Sequence, residues 1–204
     1  MKRVLIINYG VGNIGSLINA FRKIGTEPVV TLEISDCKEI DAIVFPGVGS
    51  FDSAMRILKN RGIVNKINEL VGNVPILGIC LGMQLMFENS EEGIEKGLSW
   101  FKGKVERLRK GKIPHIGWSS IEIMRESPLL EGISNNSYFY FAHSYAVFNM
   151  DNHYIASKTE CYGNYFVSTV SCEEKLIFGT QHHPEKSSKI GLKLLKNFIN
   201  VTRK

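Results

Sequence analysis

With 204 residues, 44% of them hydrophobic, the chain can bury a sizeable core without disulfides, and it reads as one domain over 1–204. A net charge of +5 raises the question of nucleic acid, yet the basic residues are scattered. Only Lys102 to Lys112 is dense, and Val105 and Leu108 interrupt it in a strand-like alternation, so an exposed strand face is expected there.

Arg3 to Asn8 reads as a first strand, after which Ile14, Leu17, Ile18, Phe21 and Ile24 recur at helical spacing. Val29 to Leu32, Asp41 to Phe45 and Val74 to Ile79 read as short buried strands, alternating with helical stretches over Ser50 to Lys59 and Ile63 to Val71. Strands that alternate with helices imply a parallel central sheet. From Lys104 to Thr180 the pattern changes to short strands between turn residues, which suggests an antiparallel extension of that sheet. Ser187 to Val201 opens with serines able to cap a helix and places Ile190, Leu194, Leu195, Phe198 and Ile199 on one face. The expected fold class is therefore α/β, a central and mostly parallel sheet flanked by helices with an antiparallel extension.

The four cysteines, Cys37, Cys80, Cys161 and Cys172, show no metal-ligand spacing and no Cys-x-x-Cys pair, so neither a metal nor a cofactor is expected. No stretch is long enough to span a membrane, and the apolar run after Met1-Lys-Arg is too short for a signal core. A cytoplasmic location follows, with neither nucleic acid nor membrane as partner.

One cysteine stands in a distinctive context. The run Pro75-Ile-Leu-Gly-Ile-Cys-Leu-Gly-Met-Gln84 is an apolar strand that stops at Cys80, bracketed by Gly78 and Gly82, and then becomes helix-like through Phe87. Gly-x-Cys-x-Gly is the thiol counterpart of the G-x-S-x-G nucleophile elbow, in which small neighbours let a strand reverse into a helix beneath an exposed nucleophile. The amides of that helix would favour a thiolate, and the Leu81 amide is placed to hold an oxyanion. An isolated cysteine is more often a buried packing residue, and the flanking glycines are what argue otherwise.

A nucleophile needs a base and the base needs an orienting group. Leu176-Ile-Phe-Gly-Thr-Gln-His-His-Pro-Glu185 reads as a buried strand that ends in two histidines and a glutamate. In an extended segment alternate side chains share a face, so parity pairs His183 with Glu185 and turns His182 away. A third segment, Asp41-Ala-Ile-Val-Phe-Pro-Gly-Val-Gly-Ser50, carries glycines that allow backbone amides close to a ligand, with Val48 as a second oxyanion donor.

Together, Pro46-Gly47-Val48-Gly49, Gly78-Ile79-Cys80-Leu81-Gly82-Met83-Gln84 and His183-Pro184-Glu185 resemble the triad-type, class I glutamine amidotransferases, with their flavodoxin-like fold. Tyr9-Gly-Val-Gly-Asn13, Pro114-His-Ile-Gly-Trp118, Tyr140-Phe-Ala-His-Ser-Tyr145 and Glu185-Lys-Ser-Ser188 narrow the resemblance to glutaminase subunits of imidazole glycerol phosphate synthase. The resemblance implies that Cys80 attacks the glutamine amide, that His183 shuttles the proton and that Glu185 orients it. It further implies oxyanion stabilisation by Val48 and Leu81, a loop made adjustable by Gly47 and Gly49, and a substrate hold by Gln84, Ser144 and Tyr145. The implied partner is a (β/α)8-barrel cyclase that receives the ammonia, met by Asn13, Trp118 and Tyr140.

Three positions depart from the pattern: His182 where an aromatic is usual, Trp100 where an aliphatic is, and Ser119 in place of Asn where the family meets its synthase. Other readings are the same glutaminase serving a paralogous synthase such as one that amidinates a surface sugar, a stand-alone cysteine hydrolase, and a sensor with Cys80 as an oxidisable thiol.

Overall fold

The computed structural model describes residues 1–9, 14–32, 40–47 and 49–201. The first half alternates strands with helices: β1 (Arg3–Ile7), α1 (Gly15–Lys23), β2 (Glu27–Thr31), β3 (Ala42–Phe45), α2 (Phe51–Asn60), α3 (Ile63–Leu70), β4 (Ile76–Ile79) and α4 (Leu81–Gln84). The second half is strand-rich: β5 (Asn89–Ser90), β6 (Lys104–Arg107), β7 (His115–Ser120), β8 (Glu122–Ile123), β9 (Tyr138–His143), β10 (Tyr145–Val147), β11 (Ile155–Cys161), β12 (Asn164–Cys172) and β13 (Ile177–Thr180), followed by α5 (Ser188–Asn200).

The main sheet has the order β2-β1-β3-β4-β13-β12-β11-β8. It is parallel from β2 to β13 and antiparallel beyond, the expected mostly parallel sheet with an antiparallel extension. Apolar residues are continuous in β1, β3 and β4 because both faces are covered. On one face α1 and α5 bring Leu17, Phe21, Leu194 and Phe198 onto Val4, Ile6, Val44 and Leu77. On the other, α2 and α3 bring Phe51, Met55, Leu58, Ile63 and Ile67 onto Leu5, Ile7, Ile43 and Phe45. Each such fully buried side chain contributes about 1.5–3 kcal/mol of transfer free energy.

Not every strand after Lys104 joins that sheet. β10-β6-β5 form a separate three-stranded sheet and β7-β9 a two-stranded ribbon, so the expected antiparallel extension beyond β13 is built by β12, β11 and β8 alone. Periodicity marks a strand and is silent about its partner. The ribbon's register, Ile116↔Ala142, Trp118↔Tyr140 and Ser120↔Tyr138, puts those residues on one face and His115, Ser119, Phe139, Phe141 and His143 on the other. The first set includes exposed Ile116, Trp118 and Tyr138, while His115, Phe139, Phe141 and His143 are buried.

Two local expectations are corrected. The helix after Cys80 is a single turn, since Met86 N–H bonds Met83 O and Phe87 N–H bonds Gln84 O in the tighter three-residue spacing. Ser187 does not cap α5 with its side chain; its Oγ donates to the His183 carbonyl at 2.6 Å and accepts from the Tyr140 amide at 3.0 Å. It thereby ties the start of the last helix to the ribbon.

Candidate active site

Cys80 sits where β4 reverses into α4, at the C-terminal edge of the parallel sheet, where α/β folds hold their ligands. Its φ of 50° and ψ of −106° are unfavourable for a side-chain-bearing residue, and the flanking glycines explain how the turn tolerates them. A Cβ at Gly78 would lie 2.5 Å from the Gly82 carbonyl group, and one at Gly82 would lie 2.1 Å from the Phe45 carbonyl oxygen. Only glycines let strand, helix and neighbouring strand approach so closely. With one helical turn the macrodipole is short, so the local donors at the sulfur matter more.

Thr180 at the end of β13 anchors the elbow by accepting the Cys80 amide at 2.6 Å. The chain then runs through Gln181 and His182 to His183, whose amide bonds the Tyr140 carbonyl at 2.8 Å. His183 Nδ1 lies 2.8 Å from Glu185 Oε1, and both side chains are almost fully buried. The pairing predicted from strand parity is present, but its premise is not: Pro184–Lys186 is a 3-10 turn, and this turn, in place of strand alternation, folds Glu185 back onto His183. His183 lies close enough to Cys80 for the sulfur to act on its titration. Burial alone would lower the pKa of its ring; the charge and hydrogen bond of Cys80, with the hydrogen bond and charge of Glu185, override that and push it up to about 10.

Gly47 packs closely against both Cys80 and His183. A Cβ there would lie 2.8 Å from Cys80 Cβ and 2.9 Å from His183 Cε1. Gly49 has a φ of 104°, a conformation that glycine adopts readily. The loop is held from below by Tyr9, a fully buried phenol that donates to the Pro46 carbonyl and whose pKa is raised well above normal by burial, with the Cys80 charge adding. Val48, the expected oxyanion donor, and Asn13, an expected interface residue, lie outside the described residues, as does Cys37. The Leu81 amide, first in its helix, has no intrahelical acceptor.

A cavity of about 210 Å³ opens at the sulfur, lined by Gly47, Gly49, Cys80, Leu81, Gln84, Glu92, Pro114, Ala142, His143, Ser144 and Tyr145. Gln84 is buried in its wall, its Nε2 donating to Tyr145 O at 2.8 Å and to Gln181 Oε1 at 3.1 Å. The Ser144 carbonyl accepts from the Leu108 amide at 2.9 Å. A larger cavity of about 620 Å³ lined by Arg125, Ser127 and Leu130 holds neither a cysteine nor a histidine among its described lining residues. Among the described residues no group of three His, Cys, Asp or Glu could hold a metal ion.

Three lining or supporting residues were not singled out from the sequence. Glu92 brings a carboxylate to the cavity, Gln181 donates to the Cys80 sulfur at 3.5 Å, and His143 lines the wall. Glu92 lies in a charged loop and carries no local signal. Gln181, two residues before His183 in a strand that otherwise reads as apolar, is the one that a search for buried polar residues could have found.

The departures also resolve. His182 packs as an aromatic, its ring 4.1 Å from that of Phe139 and 5.6 Å from that of Phe141, with burial first and the His183 charge second lowering its pKa to about 3. Trp100 packs edge-on against Phe45 and donates to Asn68 at 2.8 Å. Ser119 faces inward, 3.0 Å from His115 Nε2, and not outward toward a partner as the sequence suggested. Trp118 and Tyr140 do face outward, their rings 6.1 Å apart, with the Lys186 ammonium 5.7 Å from the Tyr140 ring.

A strained cysteine at the end of a parallel strand, a buried histidine–glutamate pair beside it and glycines packed against both make a candidate thiol-nucleophile site. Residues 5–201 match the model of the class-I glutamine amidotransferase family, and the chain belongs to that family. It is 43% identical over 204 residues to imidazole glycerol phosphate synthase subunit HisH 1 of Campylobacter jejuni (strain RM1221), covering 97% of this chain and 100% of the relative. It is 46% identical over 200 residues to the HisH subunit of Methanocaldococcus jannaschii, covering 96% of this chain and 98% of the relative. In fold it is similar to PurLQS from Thermotoga maritima, with a TM-score of 0.79 at 18% identity over 98% of each chain. A putative GMP synthase protein from Thermoplasma acidophilum gives a TM-score of 0.77 at 20% identity, over 98% of this chain and 94% of that one.

Proposed function

We propose that this chain is the glutaminase subunit of an imidazole glycerol phosphate synthase, hydrolysing glutamine with Cys80, His183 and Glu185 and passing the ammonia to a (β/α)8-barrel cyclase. The cyclase uses it to form imidazole glycerol phosphate and an aminoimidazole carboxamide ribotide in histidine biosynthesis, in the cytoplasm. The observation that carries the reading is the buried His183–Glu185 pair beside Cys80, with Gly47 packed close against both Cys80 and His183.

In this mechanism the Cys80 thiolate attacks the side-chain amide carbon of glutamine, and the oxygen takes up the charge. The amides of Leu81 and Val48 stabilise it, each donor contributing about 3 kcal/mol in comparable sites. The His183 imidazolium gives its proton to the amide nitrogen as the carbon–nitrogen bond breaks, releasing ammonia and leaving a γ-glutamyl thioester on Cys80. His183, now neutral and held by Glu185, takes a proton from water as that water attacks the thioester; glutamate leaves and the thiolate–imidazolium pair returns. Glu92 complements the α-ammonium of the substrate. Gln84 spends both Nε2 hydrogens on the protein, so its Oε1 is the atom left for a ligand.

The partner's place is the outer face of the β7–β9 ribbon, where Trp118, Ile116 and Tyr138 are exposed beside Tyr140. That face adjoins the cavity through Ala142, whose carbonyl is 3.9 Å from the Cys80 sulfur. Since Ser119 faces inward, its departure from the family pattern gives no support to a paralogous partner.

The test is Cys80→Ala assembled with the cognate cyclase. Glutamine-dependent synthesis should vanish while free ammonium still supports it. Loss of both from a correctly assembled complex would refute the division of labour. Glutaminase activity that is high in the isolated chain and indifferent to the cyclase would point to a stand-alone hydrolase.

A further inference from the structure

Between the ribbon and the nucleophile runs an unbroken file of polar groups through an otherwise aromatic interior. Ser119 Oγ is 3.0 Å from His115 Nε2, His115 Nδ1 is 3.3 Å from His143 Nε2, and His143 Nδ1 is 2.9 Å from Tyr145 O. Tyr145 O also accepts from Gln84 Nε2 at 2.8 Å; Gln84 Nε2 reaches Gln181 Oε1 at 3.1 Å, and Gln181 Nε2 reaches Cys80 Sγ at 3.5 Å. Phe141 and Phe166 wrap the two histidine rings, with centroids 5.1 Å from Phe141 to His115 and 5.0 Å from Phe166 to His143.

One group fixes the polarity of the whole file. A carbonyl can only accept, so Tyr145 O requires the hydrogen of His143 on Nδ1 and requires Gln84 to present its nitrogen. His143 Nε2 is then an acceptor, which puts the His115 hydrogen on Nδ1 and leaves His115 Nε2 to accept from the Ser119 hydroxyl. On the other side, Gln84 Nε2 must meet the Gln181 oxygen, so the Gln181 nitrogen faces the sulfur. Every member has one permitted state, and the last N–H is aimed at Cys80, the polarity that a thiolate accepts.

We infer that His115, His143 and Gln181 are positioning residues, forming with Ser119, Tyr145 and Gln84 a hydrogen-bonded relay that sets the Cys80 sulfur from the inner face of the β7–β9 ribbon. Apolar side chains of similar shape would pack this interior without the cost of burying imidazoles, so packing does not account for the file. Both rings must stay neutral for it to hold, and burial favours that form in each, lowering the pKa of His115 and, as the largest cause, taking that of His143 to about 3. The relay starts at Ser119, next to exposed Trp118, on the strand proposed to meet the cyclase.

The inference rests on Cys80 being the nucleophile, so the experiment reads the sulfur without requiring glutamine turnover. The rate of Cys80 alkylation by iodoacetamide, mapped by mass spectrometry with Cys172 as internal control, is measured on the full chain for Ser119→Ala, Ser119→Thr, His143→Phe and His143→Asn. Ser119→Ala and His143→Phe should slow Cys80 about fivefold, the factor for one neutral hydrogen bond. Ser119→Thr, which keeps the hydroxyl, and His143→Asn, which keeps a donor for Tyr145 O, should recover most of the rate. A wild-type Cys80 rate in Ser119→Ala, or a rate in the conservative variants as slow as in the disruptive ones, overturns the relay. Ser119 is only half-buried, so its pair of variants decides the matter should His143→Phe fail to fold. Failure of wild-type chain with its cyclase to turn over glutamine would instead overturn the proposed function, leaving the alkylation ratios to judge the relay.

Discussion

His182→Phe should make the protein markedly more resistant to acid while leaving its stability near pH 8 little changed. The imidazole is fully buried among Phe139 and Phe141, its Nδ1 has no partner among the described residues, and its Nε2 has only a 3.4 Å contact with Thr169 Oγ1. Its pKa is about 3 in the folded chain, against about 6.5 when unfolded. The unfolded state therefore binds the extra proton between those values, so the stability this residue permits is complete above pH 6.5 and is lost as pH falls toward 3. Between pH 8 and pH 5 the loss from this one ring is about 2 kcal/mol, from 1.36 kcal/mol per unit over roughly 1.5 units. Phenylalanine does not titrate, so the variant escapes that loss. His143 has the same sign of shift and remains in both proteins, so it cancels in the comparison. Removing the orphaned Nδ1 gains and losing the Thr169 contact costs, and the two nearly offset at pH 8, within about 1 kcal/mol. Urea denaturation followed by far-ultraviolet circular dichroism at pH 8 and pH 5 gives the four free energies. A mutant-minus-wild-type difference that is equal at the two pH values would show that His182 is not held neutral, and would refute the linkage argument.

The same variant should retain glutaminase activity in the complex, whereas His183→Ala should lose a factor of about 10² to 10⁴, because only His183 touches Cys80 and Glu185; steady-state glutamate release compares them. Gly47→Ala should cost about 10²-fold in turnover, since its Cβ would come within 3 Å of both Cys80 and His183 and force them apart; the unchanged kinetics of a correctly folded variant would contradict the close approach. Trp118→Ala should weaken cyclase binding by about 2 kcal/mol, roughly thirtyfold in Kd by calorimetry, while unfolding free energy moves by less than about 0.5 kcal/mol because the side chain is 51% exposed.

What the sequence revealed about this molecule follows the range of the interactions concerned. β1, β3 and β4 were readable because burial on both faces leaves an uninterrupted apolar run, and the elbow was readable because Gly78 and Gly82 are demanded by backbone contacts within a few residues of Cys80. The pairing of His183 with Glu185 was reached by a rule that does not apply to it. Pro184 cannot continue the ladder, and the 3-10 turn it opens brings residues two apart together as surely as strand alternation would. The single-turn length of α4 was not readable either, because Leu85, Met86 and Phe87 are all compatible with helix, and their carbonyls instead accept from the amides of Leu98, Ser99, Trp100 and Phe101.

The residues that escaped are those whose meaning lies in distant partners. Gln181 reaches a sulfur 101 positions earlier and His143 meets a ring 28 positions earlier, and no local pattern encodes either contact. Ser119 shows the same limit from the other side: its identity stood out against the family pattern, but its orientation depends on the pairing of β7 with β9, which sends Trp118 outward and Ser119 in. A one-residue slip of β7 against β9 would exchange the faces of β7, burying Trp118 and turning His115 toward solvent. The ribbon's pairing thus decides at once where a partner docks and whether the file of polar groups reaches Cys80, so the two properties cannot be altered independently by any change that shifts the register.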